Sequence, residues 1–564
     1  MEFFYKKNDN TDLFRTLEKE ELTNISKLQN YNPIYNKYFK LSNTNYNAIN
    51  LNNNFIKSVD TKDTENKYTG TICDVSGETT RKYLFFKYSP LLDPVKYVTG
   101  KYDDISNVLA LPTNNDITGY AKTRDPNNSA YVDGFFSYIT SQMLSNYKFI
   151  HGLDYYGSFL GIKKNFTYDI SEEIEYLYDS EFFHKNNNIL FSLNNNIHSE
   201  LLNKDTRNYK DKIAIGNNIT PSALNSNDSL FELDELNQLF STNIEEDVND
   251  TSNVELYYEG CIKKQNSKNE SVNSCSSNSS YSSSEDSEVE EDTSCIESDE
   301  SSDDDSLRSD DVINININEF PVQLIALERC KNTLDSLFTE NNLCDEELSG
   351  IIIQIIMILI TYQKVFKFTH NDLHSNNIMY VETAKEFLYY KYNNKYYKIQ
   401  TFGKIFKLID FGRSIYTFRN NLMCSDSYHS KGDAATQYNF EPYYNSNKPL
   451  IEPNYSFDLC RLGCSLYDYF VDSRESINNI QSEIINIILS WCNDDKNKNI
   501  LYKNNGSERY PDFKLYKMIA RTVHNHVPSK VIEHSYFEKY IISNRKIKKN
   551  KNKVINIDNL TPEY

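Results

Sequence analysis

The stretch from Phe368 to Gly412 constrains this chain more than any other. It opens His370-Asn371-Asp372-Leu373-His374-Ser375-Asn376-Asn377 and closes Ile409-Asp410-Phe411-Gly412. An acidic side chain at 372 can take the proton of an attacking hydroxyl. An amide at 377 and a carboxylate at 410 offer oxygen ligands of the kind a hard divalent cation prefers, so neither position needs Cys or His. The flanks give the context. Leu348 to Phe368 reads as a buried helix, Ile378-Met379-Tyr380-Val381 as a short apolar strand, and Phe406-Lys407-Leu408-Ile409 as a second strand that delivers Asp410. Singly, Asp372 and Asn377 could cap turns and Asp410 could end a strand. In this order and context they point to chemistry.

The order H-x-D-L-x-x-x-N followed by D-F-G resembles the catalytic and metal-binding loops of the protein-kinase superfamily. The Asn-, Tyr- and Lys-rich chain with its long acidic insert resembles the serine/threonine kinases encoded by giant DNA viruses. The resemblance covers roughly Lys67 to Tyr540. It implies an α+β, protein-kinase-like bilobal fold, with a small β-rich lobe and a large α-helical lobe, interrupted by a long and partly disordered insertion. It also implies ATP and Mg²⁺ as cofactors, Asp372 as catalytic base, and Asn377 and Asp410 as metal ligands. Two departures stand out. Asn371 replaces the usual Arg, so the latch between that Arg and an activation-loop phosphate is absent. His374 stands where serine/threonine kinases usually carry Lys, and H-x-D-L-H also occurs in atypical and small-molecule kinases.

The 564 residues suffice for one large or two ordinary domains. The net charge of −20 is local: Glu285 to Asp311 holds fourteen acidic residues against Arg308, a charge of −13, which leaves −7 for the rest. This excludes a generally acidic surface built for basic partners. Ten cysteines lie without a C-x-x-C pair, and Cys460 and Cys464, four apart, suit helix packing better than metal binding. With no apolar leader behind MEFFYKKNDNTDLFR, the reading is a reduced, intracellular protein of host cytoplasm or virion, not a secreted one. The most apolar run, Ile351 to Ile360, is interrupted by Gln354 and is too short to span a bilayer.

In chain order, residues 1–66 read as a partly ordered N-terminal extension and 67–564 as the kinase-like domain. Strands at Thr69–Val75 and Arg81–Tyr88 flank the turn Ser76-Gly77-Glu78. In the family, a third-strand Lys holds the ATP phosphates. Lys87 is the candidate, and its rival Lys163, in Leu160-Gly161-Ile162-Lys163, falls after the helix that the Lys should precede. That helix, Ser129 to Asn146, contains no Glu, so Asp133 is its one acid available to Lys87. No G-x-G-x-x-G precedes Lys87; Gly70 and Gly77 are the glycines available to approach phosphate. Residues 170–311 form the insertion, with a helix at Ser229–Phe240 and a Ser-, Asp- and Glu-rich tract at 267–311 whose composition cannot support a core. Phe320–Leu327 reads as a strand leading to the family's interlobe hinge, where Leu327, Glu328 and Cys330 would flank adenine. A hairpin, Phe387–Tyr392 and Lys395–Ile399 around Asn393-Asn394, explains the 33 positions between Asn377 and Asp410. After a polar loop from 413 to about 455, Asp458 opens a helix that would anchor the His370 segment. Arg545 to Lys553 reads as a basic, solvated tail rather than a nucleic-acid site.

The leading expectation is therefore an ATP-dependent kinase acting on Ser or Thr hydroxyls of protein substrates, with no nucleic-acid partner and no membrane span. A small-molecule kinase on the same fold is the second, motivated by His374. A pseudokinase scaffold presenting its acidic insert is the third, motivated by the missing glycine-rich loop.

Overall fold

The run from Asn314 to Glu328 alternates apolar and polar residues, then turns apolar but for Gln323, the pattern of a strand covered first on one face and then on both. It is the central strand of a mixed α+β fold. A computed structural model of the protein describes residues 5–7, 10–102, 104–114, 117–171, 173–193, 313–340, 343–471, 479–547 and 553–564. These belong to one of the chain's two compact units, Met1–Asn203 with Val272–Tyr564.

The large sheet has seven antiparallel strands. In chain order they are β1 (Ile25–Gln29), β2 (Phe55–Thr64), β3 (Lys67–Cys73), β4 (Thr79–Pro90), β5 (Tyr155–Asp169), β6 (Phe191–Leu193) and β7 (Asn314–Glu328). Their spatial order is β1-β5-β7-β4-β3-β2, with β6 pairing β7 beside this path. Lys87 on β4 lies opposite Ile325 on β7.

Helix α1 (Ser129–Tyr147) crosses the sheet. Asn128 caps it by accepting the Ala130 N–H, and residues 130–143 are buried all round, as in a helix enclosed by its own protein. Helix α2 (Asp345–Phe366) opens on Asp345, Glu346 and Glu347, which suits the positive end of its dipole, and stops at Lys367 with φ 51°. Among the described residues it is the one helix long and apolar enough to cross a bilayer, and 94% of its most apolar stretch is buried inside the protein. After it come β8 (Ile378–Glu382), the hairpin β9 (Phe387–Tyr392) and β10 (Lys395–Gln400), and β11 (Lys404–Leu408), which pairs with β8. Asn393 and Asn394 take φ values of 50° and 58° at the hairpin turn, where asparagine tolerates the left-handed region.

Three expected boundaries shift. Residues 1–66 are not a mere extension: β1 pairs with β5 at one edge of the sheet and β2 with β3 at the other, so the division at 66 falls inside the β2–β3 turn. The insertion expected from 170 begins with chain that belongs to the sheet, since Phe191–Leu193 pairs with Ile315–Ile317. Its remainder, including the tract 267–311 and the expected helix at 229–240, lies outside the described residues. The basic run at 545–553 is not the end of the fold. Beyond it β14 (Val554–Asn556) runs parallel to Tyr389–Lys391 of β9, while Ile541 and Ile542 just before it pair with β10.

The segment after Gly412 is less loop-like than its polarity suggests. It forms a hairpin, β12 (Ile415–Phe418) and β13 (Asn421–Cys424), followed by buried Asp426, Ser427 and Tyr428. Helices α3 (Phe457–Phe470), α4 (Glu483–Ser490) and α5 (Phe513–Thr522) follow.

Candidate active site

Strand β4, helix α1 and the loop after β11 meet at Lys87. Its Nζ lies 2.7 Å from Asp133 Oδ2 and 2.8 Å from Asp410 Oδ1. Asp133 is followed on α1 by Gly134, which packs against β7. A Cβ at Gly134 would come 2.3 Å from Gln323 Nε2 on β7, so glycine lets α1 sit close against the sheet. Gln323 is fully buried and donates to Ser158 Oγ at 3.0 Å, which limits how far it can yield. Asp133 also accepts the backbone N–H of Phe411 at 2.9 Å.

Asp458 at the start of α3 organises the loop that carries Asp372. Its buried carboxylate accepts the backbone N–H groups of His370, at 2.9 Å, and Asn371, also at 2.9 Å. The His370 Nε2–H donates to the Ile409 carbonyl at 2.9 Å and so joins this loop to the Asp410 turn. Asn371 and Asp410 both have positive φ, 63° and 61°, a conformation in which Asn and Asp are tolerated and which concentrates at functional loops. The buried Phe411 ring packs edge-on to Phe136 of α1 at 4.8 Å and against His370 at 5.7 Å.

Asp372 is 6% exposed. Burial alone would raise its pKa. The charges of Arg413 and Arg461, with a hydrogen bond from Tyr516, prevail and hold the carboxyl well below the usual range. Tyr516 donates its hydroxyl to Asp372 Oδ1 at 2.7 Å and accepts from Arg461 Nε at 2.9 Å. Both hydrogens of the Asn377 amide are committed, one to the Asp372 carbonyl at 2.9 Å and one to His374 Nε2 at 3.0 Å. Burial pushes His374 down to about 4, consistent with a neutral ring accepting there. Lys87 is raised, because Asp133 and Asp410 outweigh its desolvation. Burial pushes Asp133 up despite Lys87, whereas the Lys87 charge outweighs desolvation at Asp410 and lowers it. Lys87 is thus held cationic and Asp410 ionised.

The donor set fits a hard divalent cation. With its amide hydrogens engaged, Asn377 has its carbonyl oxygen left as the ligating atom, and Asp410 is an exposed, ionised carboxylate. Among the described residues no cluster of three or more His, Cys, Asp or Glu side chains could by itself enclose a metal.

The other expected ligand contacts are redistributed. Lys163 is outside this site: its ammonium lies 5.2 Å from the Tyr88 ring and 3.9 Å from Glu65. The Leu327 side chain belongs to the core. Glu328 is an internal strut, its carboxylate accepting the Asp154 N–H at 2.8 Å and pairing with Lys407. Of the N–H groups at 328–331, three bond within the protein: Glu328 to Asp154, Arg329 to Tyr83 and Lys331 to Tyr380. Among the described residues the Cys330 N–H has no backbone partner. Gly70 packs inside β3 against Ser58 and Leu84, and Gly77 lies in the β3–β4 turn. The turn nearest Lys87 is instead Glu65-Asn66, whose Asn66 carbonyl accepts the Phe86 N–H at 2.8 Å.

Sequence reasoning did not reach Tyr516 or Arg461. Tyr516 lies 144 positions from Asp372 with no motif around it. Arg461 carries one signal, its place a turn after Asp458 on the helix that anchors the loop. A separate cavity of about 570 Å³, lined by Trp491, His526, Lys530 and His534 among others, shares no residue with this site. No protein-family model matches the chain, and no curated protein sequence matches it.

Proposed function

We propose that this protein is an ATP- and Mg²⁺-dependent kinase of protein Ser or Thr hydroxyls, built on a protein-kinase-like bilobal fold. The observation that carries the reading is Lys87 bridging Asp133 and Asp410 beside a loop presenting Asp372 and Asn377. The antiparallel order β5-β7-β4-β3-β2, with α1 packed on it, supports the small lobe. In this reading Lys87 binds the α- and β-phosphates, and the Cys330 N–H meets adenine. Mg²⁺, when bound, would be held by Asn377 and Asp410 and would neutralise phosphate charge. Asp372 orients the acceptor hydroxyl and takes its proton as the acceptor oxygen bonds to the γ-phosphorus and ADP leaves. Asp458 and His370 hold that loop in register with the Asp410 turn.

The test pairs binding with transfer. ATP should raise the melting temperature of the parent protein in a Mg²⁺-dependent way, and Asp410→Ala should remove the Mg²⁺ dependence. Radiolabel from γ-labelled ATP should pass to a mixed set of protein acceptors. Binding without transfer to any protein would favour the scaffold reading, and transfer to small hydroxyl compounds alone would favour a small-molecule kinase.

A further inference from the structure

Asp372 already holds a hydroxyl. Tyr516 donates to its Oδ1 at 2.7 Å, within the 2.6–3.2 Å reach that a general base needs to the group it deprotonates. The tyrosine comes from α5, far from the loop in sequence, and its surroundings differ from those of a core residue. Tyr516 and Phe513 are partly exposed and stack on each other at 5.5 Å, whereas the buried residues of this ten-residue helix are Ile519 and Ala520 at its other end. Asp512 at the helix start has φ 53° and forms no side-chain cap. That end also packs on the core around Phe457, whose ring lies 6.2 Å from that of Tyr516. Its contacts with the site are two guanidinium groups, Arg413 at 5.4 Å and Arg461 at 5.1 Å from the Tyr516 ring centre, and the hydrogen bonds to Arg461 and Asp372.

We propose that Tyr516 stands in for the acceptor hydroxyl on Asp372, so that an acceptor enters by displacing the end of α5 that carries it. The inference rests on the kinase reading above and adds what controls entry to that site. Displacement would not dismantle the base. Arg413 keeps its ion pair with Asp433 at 2.7 Å, Asn377 keeps the Asp372 carbonyl, and Asp458 keeps the loop. What changes is that Asp372 exchanges a phenol for the acceptor. A tyrosine that merely oriented Asp372 would behave in the opposite way, because its loss would impair the base without easing entry.

The experiment uses the full chain, its Tyr516→Phe variant and its Tyr516→Ala variant, with dephosphorylated casein as the acceptor probe. Removing the hydroxyl in Tyr516→Phe should lower KM for casein by about three- to tenfold, with KM for ATP within about twofold and any change in kcat smaller than the change in casein KM. Removing the ring in Tyr516→Ala should also raise acceptor-free ATP hydrolysis by about three- to tenfold. There water takes the vacated place: its oxygen bonds to the γ-phosphorus, the bond to the β,γ-bridging oxygen breaks, ADP leaves and the proton passes to Asp372. A fall in kcat with casein KM unchanged would overturn the proposal in favour of a positioning role. Phosphate found on Tyr516 by mass spectrometry after incubation of the parent with ATP would overturn it too, since the residue would then be a substrate. Mg²⁺-dependent ATP binding without transfer or hydrolysis by parent or variants also counts against it. Failure of the parent to bind ATP with Mg²⁺ would instead show that the kinase reading itself is wrong.

Discussion

Asp133 and Phe411 are joined by a hydrogen bond of 2.9 Å, from the Phe411 backbone N–H to the carboxylate that also pairs with Lys87. One short acidic side chain thereby fixes the position of the Asp410 turn relative to both β4 and α1. The same helix is tied at its first residue as well. Asp426, in the segment after Gly412, accepts the Ser129 N–H at 2.9 Å and pairs with Lys122 at the N-terminal end of α1. The Asp410 turn and the segment that follows it therefore hold α1 jointly.

Asp372→Asn should lower phosphoryl transfer by about 10²–10⁴-fold, the usual contribution of a positioned base. Its amide oxygen can still accept from Tyr516, so the melting temperature should move little and ATP affinity should stay within a few fold. Initial rates with γ-labelled ATP, set beside a thermal-shift titration, check this. Equal rates for variant and parent would reject the assignment.

Gly134→Ala should destabilise the protein by about 1–3 kcal/mol, because a methyl group there meets the buried Gln323 amide. ATP affinity should fall with it, as α1 moves away and Asp133 withdraws from Lys87. The double variant Gly134→Ala with Gln323→Ala should recover part of both losses, a coupling readable in a double-mutant cycle. Strict additivity would show that the two residues do not oppose each other.

Activity should not depend on phosphorylation. Asn371 is neutral, yet it is already fastened: it donates to the Arg413 carbonyl at 3.1 Å and accepts the Tyr438 hydroxyl at 2.7 Å. Arg413 in turn pairs with Asp433. The Asp433 carboxylate thus supplies Arg413 with negative charge without a phosphate. Turnover should be unchanged after a broad-specificity phosphatase, whereas Asp433→Ala should slow it. A roughly tenfold fall on phosphatase treatment, reversed by rephosphorylation, would contradict this.

Stability should decline in acid through His151. The ring is fully buried, donates from Nδ1 to the Phe406 carbonyl and accepts the Tyr390 hydroxyl at Nε2, both at 2.7 Å. Burial pushes its pKa down to about 4 from the ordinary 6.5, so the folded state favours the neutral form. The unfolded chain binds the proton more readily between these values. The contribution is therefore intact above about pH 6.5 and is lost as pH falls toward 4, on the order of 1–3 kcal/mol. Melting curves from pH 7 to pH 4.5 should fall less steeply for His151→Gln than for the parent.

Ending the chain at Lys553 should lower the melting temperature by about 5 °C or more. The removed residues supply β14, the Ile557 and Asp558 carbonyls bonded by Lys364 at 2.7 and 2.9 Å, and the Glu563 N–H bonded to Val365 at the end of α2. An unchanged melting curve would show that this segment only rests on the surface.

The sequence made parts of the site legible because local chemistry dictates them. Asp372, Asn377 and Asp410 sit on short loops at fixed spacing, and the Asn393-Asn394 turn announces its hairpin. Chain order singled out Lys87, and the absence of Glu from the following helix left Asp133 as its acid. The edge strands were hidden for a physical reason. β2 shows a burial pattern that is mostly exposed toward Thr64, and edge strands in Asn-rich chain lack the two-sided apolar run that marks β7. Tyr516 was hidden because a long-range contact leaves no periodicity. Gly134 carries no signal in the sequence, because its constraint comes from Gln323 on β7.

The pairing of Asp133 with Gly134 also restricts how such a chain can change. Lengthening the acid to Glu without moving the helix would push its carboxylate past Lys87, and enlarging the glycine without lengthening the acid would pull the carboxylate away. Each substitution is unfavourable unless the other is present. A lineage that exchanges one arrangement for the other must therefore cross a valley, which makes adjacent positions 133 and 134 a unit of inheritance.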